Sequence, residues 1–271
     1  MLVKLVMINL IRLILKPLRK ILTKLIIFDD KVASWANPNY LEFSPMPIDL
    51  AAHFICSQEI EGDYLEFGVF KGFSFIKAYK SINFFSQEFK NFERTKKLYN
   101  NLQLAQKSFN SSKDIKRHYF AFDSFQGLPK FSSIDEGDAK FDEGRYFCSQ
   151  EEFKKNLLKN KIDLNNVTVI KGFYQDSLND ELKNKINLNK AAIVYIDCDL
   201  YSSTKYVLDF ITSLISNGTI IIFDDWFSYK GDPNKGEQKA CKEWLSKNNK
   251  IRLIPYKSFH SFQMSFIVNL N

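Results

Sequence analysis

Cysteine is scarce and poorly spaced for chemistry. Cys56, Cys148, Cys198 and Cys241 form no CxxC pair, which excludes zinc-ribbon and thioredoxin-type sites. At 271 residues a disulfide framework is also out of place, so reduced, packed thiols in a cytoplasmic protein are expected. Ten glycines and seven prolines are too few for a fibrous or long disordered chain. Histidine is rarer still. His53 sits in an apolar helical pattern, His118 opens a strand, and His260 falls in a hairpin loop. None has a metal-ligand or nucleophile partner by spacing. GxGxxG, the P-loop and GxSxG are all missing, which removes the dinucleotide fingerprint, the P-loop NTPases and the hydrolase elbow.

Acid is absent from one place. Residues 1–28 carry Lys4, Arg12, Lys16, Arg19, Lys20 and Lys24 and no Asp or Glu. Removing those six leaves 32 basic against 31 acidic residues, so the rest of the chain is near neutral. That argues against a nucleic-acid partner, whose binders carry a basic stripe on the folded domain. The charges break the apolar run, so 1–28 is neither a signal peptide nor a membrane span. Arg12, Lys16, Lys20 and Lys24 recur every four residues, along one face of a helix that Pro17 would kink or restart. Two readings stay open: a helix packed on its own domain or on a second subunit, and an interfacial helix on the inner face of an anionic membrane. A homo-oligomer is expected.

With 45% hydrophobic and 25% charged residues, the remainder is an ordinary globular chain. The expected division is a basic amphipathic extension over 1–44 and one α/β domain over 45–271. Short apolar runs at 64–69, 118–122, 167–171, 192–197 and 219–223 read as strands of a parallel sheet buried on both faces. Runs at 251–256 and 263–270 read as an antiparallel hairpin. Helical stretches at 48–60, 73–82, 88–108, 150–160, 176–186, 202–216 and 236–248 alternate with them, as in a doubly wound α/β fold. Segment 86–112 reads as a helical insertion, and 126–148 as a lid or substrate loop.

Three strand ends carry chemistry. Glu66-Phe67-Gly68-Val69-Phe70-Lys71-Gly72 ends the first strand, where glycines let the backbone approach a ligand; the competing reading is a plain tight turn. Asp123, followed by Ser124, ends the second, where an acid can accept from a ribose diol or close an Asx turn. Asp197-Cys198-Asp199 and Asp224-Asp225 end the fourth and fifth. If those strands are parallel neighbours, their ends lie about 5 Å apart. Carboxylates so crowded need a cation or a shared proton. Oxygen-only ligands point to Mg²⁺ or another hard divalent ion. The alternative is that each Asp caps the next element.

The ordered set EGDYLEFGVFKGFS, FDSFQGLP, YIDCDLYSST, FDDWF and GDPNKGEQKACKEW resembles the macrocin/mycinamicin sugar O-methyltransferases over about residues 45–270. The resemblance implies a Rossmann-like class I methyltransferase with a seven-stranded, mostly parallel sheet of order 3-2-1-4-5-7-6. It implies S-adenosylmethionine and Mg²⁺ as cofactors and a sugar, nucleotide-sugar or glycan acceptor. The turn Glu66, Gly68, Phe70, Lys71, Gly72, with Ser74 just beyond, would hold the methionine part. Asp123 and Ser124 would hold the ribose, and Gly172 and Phe173, with Asp176 beyond, would lie near the adenine. Asp197, Asp224 and Asp225 match the metal-binding acids. Asp197 also matches the proton acceptor, a role Asp199 could take two residues on. Lys71 stands where these enzymes often carry Arg. The 86–112 segment and the basic N-terminus depart from antibiotic-tailoring members and direct the expected acceptor to a bacterial surface glycan or its activated precursor. Rival readings are a catechol-type phenol O-methyltransferase and a non-catalytic membrane-associated scaffold.

Overall fold

The computed structural model describes residues 46–98, 115–130, 133–138, 141–259 and 261–271. The stretch 1–28, residues 99–112 of the expected insertion, and His260 lie outside them.

Seven strands form one sheet: β1 (Asp63–Phe67), β2 (Tyr119–Asp123), β3 (Val167–Lys171), β4 (Ala191–Ile196), β5 (Ile220–Phe223), β6 (Ile251–Phe259) and β7 (Gln263–Leu270). Their order is β3-β2-β1-β4-β5-β7-β6. The first five pair in parallel, and β7 runs antiparallel to both β5 and β6. The Rossmann-like class I methyltransferase topology is therefore present. β4 and β5 are buried at every position, because helices cover both faces of a parallel sheet and leave no solvent side for polar residues. β6, an edge strand, alternates and stays largely open.

The helices are α1 (Pro47–Ser57), α2 (Phe73–Leu98), α3 (Gln150–Lys159), α4 (Tyr174–Ser177), α5 (Asp180–Lys185), α6 (Tyr201–Ile211) and α7 (Gly236–Lys247). Two expectations change. The helices at 73–82 and 88–108 are one helix through Leu98, since no glycine or proline interrupts 73–98. The helix at 176–186 is two, because Asn179 leaves helical geometry and its side chain accepts from Leu182 N at 2.8 Å, capping the second. His53 packs against Phe85 and Phe89, with ring centroids at 5.3 and 5.5 Å, in the structural role its apolar surroundings imply.

The core lies along the central strands. Phe67 and Phe122 stack at 4.5 Å, with Phe210 of α6 edge-on to both; such aromatic pairs contribute about 0.5–1.5 kcal/mol beyond their buried area. Cys148, Cys198 and Cys241 are buried, and all four cysteines are free. The strand order reverses between β1 and β4, and this switch point is where doubly wound sheets open a crevice beyond the strand ends.

Candidate active site

A cavity of about 510 Å³ opens there. The residues after β1, β3, β4 and β5 turn into it in step. Gly68 N donates to Phe122 O (2.9 Å), Asp197 N to Phe67 O (2.8 Å), Asp224 N to Ile196 O (2.9 Å) and Gly172 N to Asp123 O (3.0 Å). The ladder thus runs one residue past these four strands and fixes where Asp197 and Asp224 emerge. Gly68 has φ +88°, and a Cβ there would sit inside the Asp197 carbonyl.

Gly68, Phe70, Asp123, Ser124, Gly172 and Phe173 line the cavity, as do Asp197, Asp199, Asp224 and Asp225. Glu66, Lys71, Gly72, Ser74 and Asp176 do not. Glu66 is wholly buried behind the wall. Its carboxylate accepts from the Tyr64 hydroxyl and from Ser74 Oγ at 2.6 Å. The two residues expected to meet a cofactor therefore meet each other. Lys71 Nζ lies 5.2 Å from the Phe70 ring, its carbonyl accepts from Asn156 of α3 at 3.0 Å, and Gly72 abuts Phe153. Asp176 is exposed on α4.

Burial pushes the Glu66 carboxyl up to about 8, against hydrogen bonds from Ser74 and Tyr64 that lower it and the charges of Asp224 and Asp123 that raise it. The native state thus keeps a proton that the unfolded chain releases near 4.5. This contribution is full below 4.5 and is lost as the pH rises through 8. Glu66→Gln should flatten that decline, read as urea midpoints across the window. Identical pH profiles for variant and native protein would remove Glu66 as its source.

Asp123 does more than the ribose reading asked of it. Its Oδ2 accepts from Val69 N (2.9 Å) and Phe70 N (3.1 Å), and its Oδ1 from Phe125 N (2.7 Å), which is an Asx turn. Three of the roughly four acceptor positions on a carboxylate are filled by backbone. Asp123 therefore shapes the β1–α2 turn bordering the cavity.

On the opposite side Asp197, Asp199 and Asp225 each bring a carboxylate oxygen within 4.8 Å of the others. Burial, then the charges of Asp224, Asp199 and Asp225, drive the Asp197 carboxyl well above the usual range. Asp224 shares the rim but is held differently: it accepts from the Tyr195 hydroxyl at 2.5 Å and from the Gln263 amide. The expected trio contained Asp224, whereas the structure gathers Asp199 with Asp197 and Asp225. Hard oxygen donors at this spacing suit a small divalent cation, which would offset their repulsion.

Several site residues had no assigned role in the sequence. Buried Glu237 accepts from Asp225 N at 3.0 Å; it lies in the quoted GDPNKGEQKACKEW motif, the one signal that could have found it. Tyr146, Phe141, Leu128 and Lys130 bring the 126–148 loop to the cavity wall. Tyr146 contacts Phe70 edge-to-face at 6.1 Å.

A sequence model of the family described as Macrocin-O-methyltransferase (TylF) matches residues 104–247, more than half of the chain. The chain belongs to the macrocin O-methyltransferase family. It is accordingly a methyltransferase. The match takes in Asp123, Asp197, Asp199, Asp224, Asp225 and Glu237 and stops short of the Glu66–Gly72 turn, so it is narrower than the motif resemblance. Among solved structures, the O-methyltransferase NovP is 20% identical, with a TM-score of 0.57 over 81% of this chain and 77% of its own. The calicheamicin methyltransferase CalS11 is also 20% identical, with a TM-score of 0.52 over 81% of this chain and 76% of its own. At that identity the likeness speaks for the fold alone. No curated protein matches the sequence.

Proposed function

We propose that this macrocin-family methyltransferase moves a methyl group from S-adenosylmethionine to a sugar hydroxyl, with a divalent cation such as Mg²⁺ held by Asp197, Asp199 and Asp225. The observation that carries this reading is the carboxylate trio on one side of a switch-point cavity whose other side is built from the turns after β1, β2 and β3. Gly68 and Phe70 border the place for the methionine part, Asp123 and Ser124 that for the ribose, and Gly172 and Phe173 that for the adenine. When bound, the cation lowers the pKa of an otherwise poor hydroxyl nucleophile and fixes its direction. Asp197 takes the proton that the hydroxyl sheds as the C–O bond forms and the C–S bond breaks, from its position on the cavity wall beside Asp199 and Asp225. The walls hold both substrates in line, which supplies much of the rate in a two-substrate reaction.

The acceptor we favour is a sugar of a bacterial surface glycan or its activated precursor, with the protein working in the cytoplasm. No helix among the described residues is long and apolar enough to cross a membrane. Membrane or subunit contact through 1–28 belongs to the same proposal: truncation should either release the protein from membranes or reduce its oligomer size. Mass spectrometry of cell-surface glycans with and without the protein should show the loss of one CH2 per methylated residue. In vitro, methylation should stop on EDTA treatment and return with Mg²⁺; activity indifferent to EDTA would end the cation part. The aromatic wall of Phe70, Phe141 and Tyr146 keeps a second reading, a catechol-type acceptor, which a panel of catechols against sugars decides.

A further inference from the structure

Three consecutive residues after β5 hold left-handed backbone: Tyr229 (φ 55°), Lys230 (58°) and Gly231 (73°). A bulky aromatic in that region is strained, and such strain persists only where the surroundings over-determine it. Around Tyr229 they do. Its N–H donates to Asp138 Oδ2 at 3.0 Å and its hydroxyl to Asp135 O at 3.1 Å. Its ring packs on Phe141 at 5.7 Å, lies under Lys235 Nζ at 5.8 Å, and leaves room at Gly236 for no Cβ. Lys235 reaches on to Glu136 O at 2.6 Å. Asp135, 1% exposed, accepts from Ser202 N at 3.3 Å, in the first turn of α6. Asp135, Glu136, Asp138 and Phe141 are thus each tied to Tyr229 or to Lys235.

The residue before Tyr229 faces the other way. Ser228, 3% exposed, donates from Oγ to Asp225 Oδ1 at 2.6 Å and from N to Asp225 O at 2.9 Å. We propose that Ser228 and Tyr229 act as one positioning unit that registers the 133–138 segment and the wall residue Phe141 against the carboxylate trio. Ser228 aims Asp225 and Tyr229 carries Phe141 and the 133–138 segment; the two are consecutive in the chain, so a shift of one is passed to the other. The proposal rests on the cation reading above for its Asp225 half.

The test uses the full chain and needs no identified acceptor. Mn²⁺ binding is measured by calorimetry, amide exchange over 133–141 by mass spectrometry, and S-adenosylmethionine affinity as the control. Tyr229→Gly removes the ring and its bonds and relieves the left-handed strain. It should speed exchange over 133–141 at least tenfold and weaken Mn²⁺ binding about tenfold, with cofactor affinity unchanged. Tyr229→Phe should restore most of both, because only the bond to Asp135 O is lost. Ser228→Ala should weaken Mn²⁺ to a similar degree while 133–141 stays protected. Faster exchange in Tyr229→Gly with native Mn²⁺ affinity overturns the registration alone, as does unaltered exchange. A native protein that binds no Mn²⁺ overturns the cation reading and the registration with it.

Discussion

Asp197→Asn should lower turnover by roughly 10²–10⁴-fold, the loss typical of removing a general base. The side chain keeps its size and one acceptor oxygen, but gives up the charge and the capacity to take a proton. Cofactor affinity should change little, because the side of the cavity proposed for the cofactor is built from the turns after β1, β2 and β3. The neighbouring acids separate the roles. Asp225→Asn and Asp199→Asn should weaken cation binding and recover part of their activity at high Mg²⁺, since both belong to the close trio. Asp224→Asn should be milder toward the cation, because Asp224 is engaged by Tyr195 and Gln263. An inactive Asp199→Asn beside an active Asp197→Asn would move the base two residues on. Four harmless substitutions would reduce the acidic rim to a set of turn caps.

Gly68→Ala should be as damaging to the fold as Asp197→Asn is to turnover. The position combines φ +88° with a Cβ direction that runs into the Asp197 carbonyl. Left-handed strain alone costs about 1–3 kcal/mol, and the carbonyl is backbone that cannot rotate away. β1 and β4 would have to part where Asp197 N reaches Phe67 O. A fall in Tm of roughly 5–10 °C is expected for a domain of this size, with cofactor affinity and turnover lost together. A variant that melts with the native protein and binds cofactor as well would show that the two strand ends are not locked here.

The centre of the sheet was legible because β4 and β5 are apolar on both faces. β3 and β7 begin and end where their residues change character, and β1, β2, β4 and β5 lie within one or two residues of expectation. β6 runs three residues further than its apolar pattern, to Phe259, because Lys257 and Ser258 sit on an open edge where side chains need not be buried. The acids were legible as strand ends. Which of them converge was not. That depends on the left-handed turn at Asp199 (φ 63°) and on Gln263, which reaches Asp224 across 39 positions. The inward side of Glu66 was not legible from its motif: Tyr64 and Glu66 are two apart on one strand and share a face, and Ser74 joins them from α2. Ser228 and Tyr229 gave no signal, since their roles arise from loop contacts that no periodicity encodes.

The first turn of α6 carries no cap of its own: Leu200 stands at the N-cap and makes no side-chain bond. Its cap is Asp135, 67 positions earlier. A local cap forms as its helix forms, whereas this one waits for a long loop to close, and closure grows slower as sequence separation rises. The expected order of assembly runs from scaffold to site, which pulsed amide exchange during refolding checks. During refolding the sheet and the body of α6 should gain protection first, and the amides of Ser202 and its neighbours last, leaving a transient species with native strands and an unfinished cavity mouth.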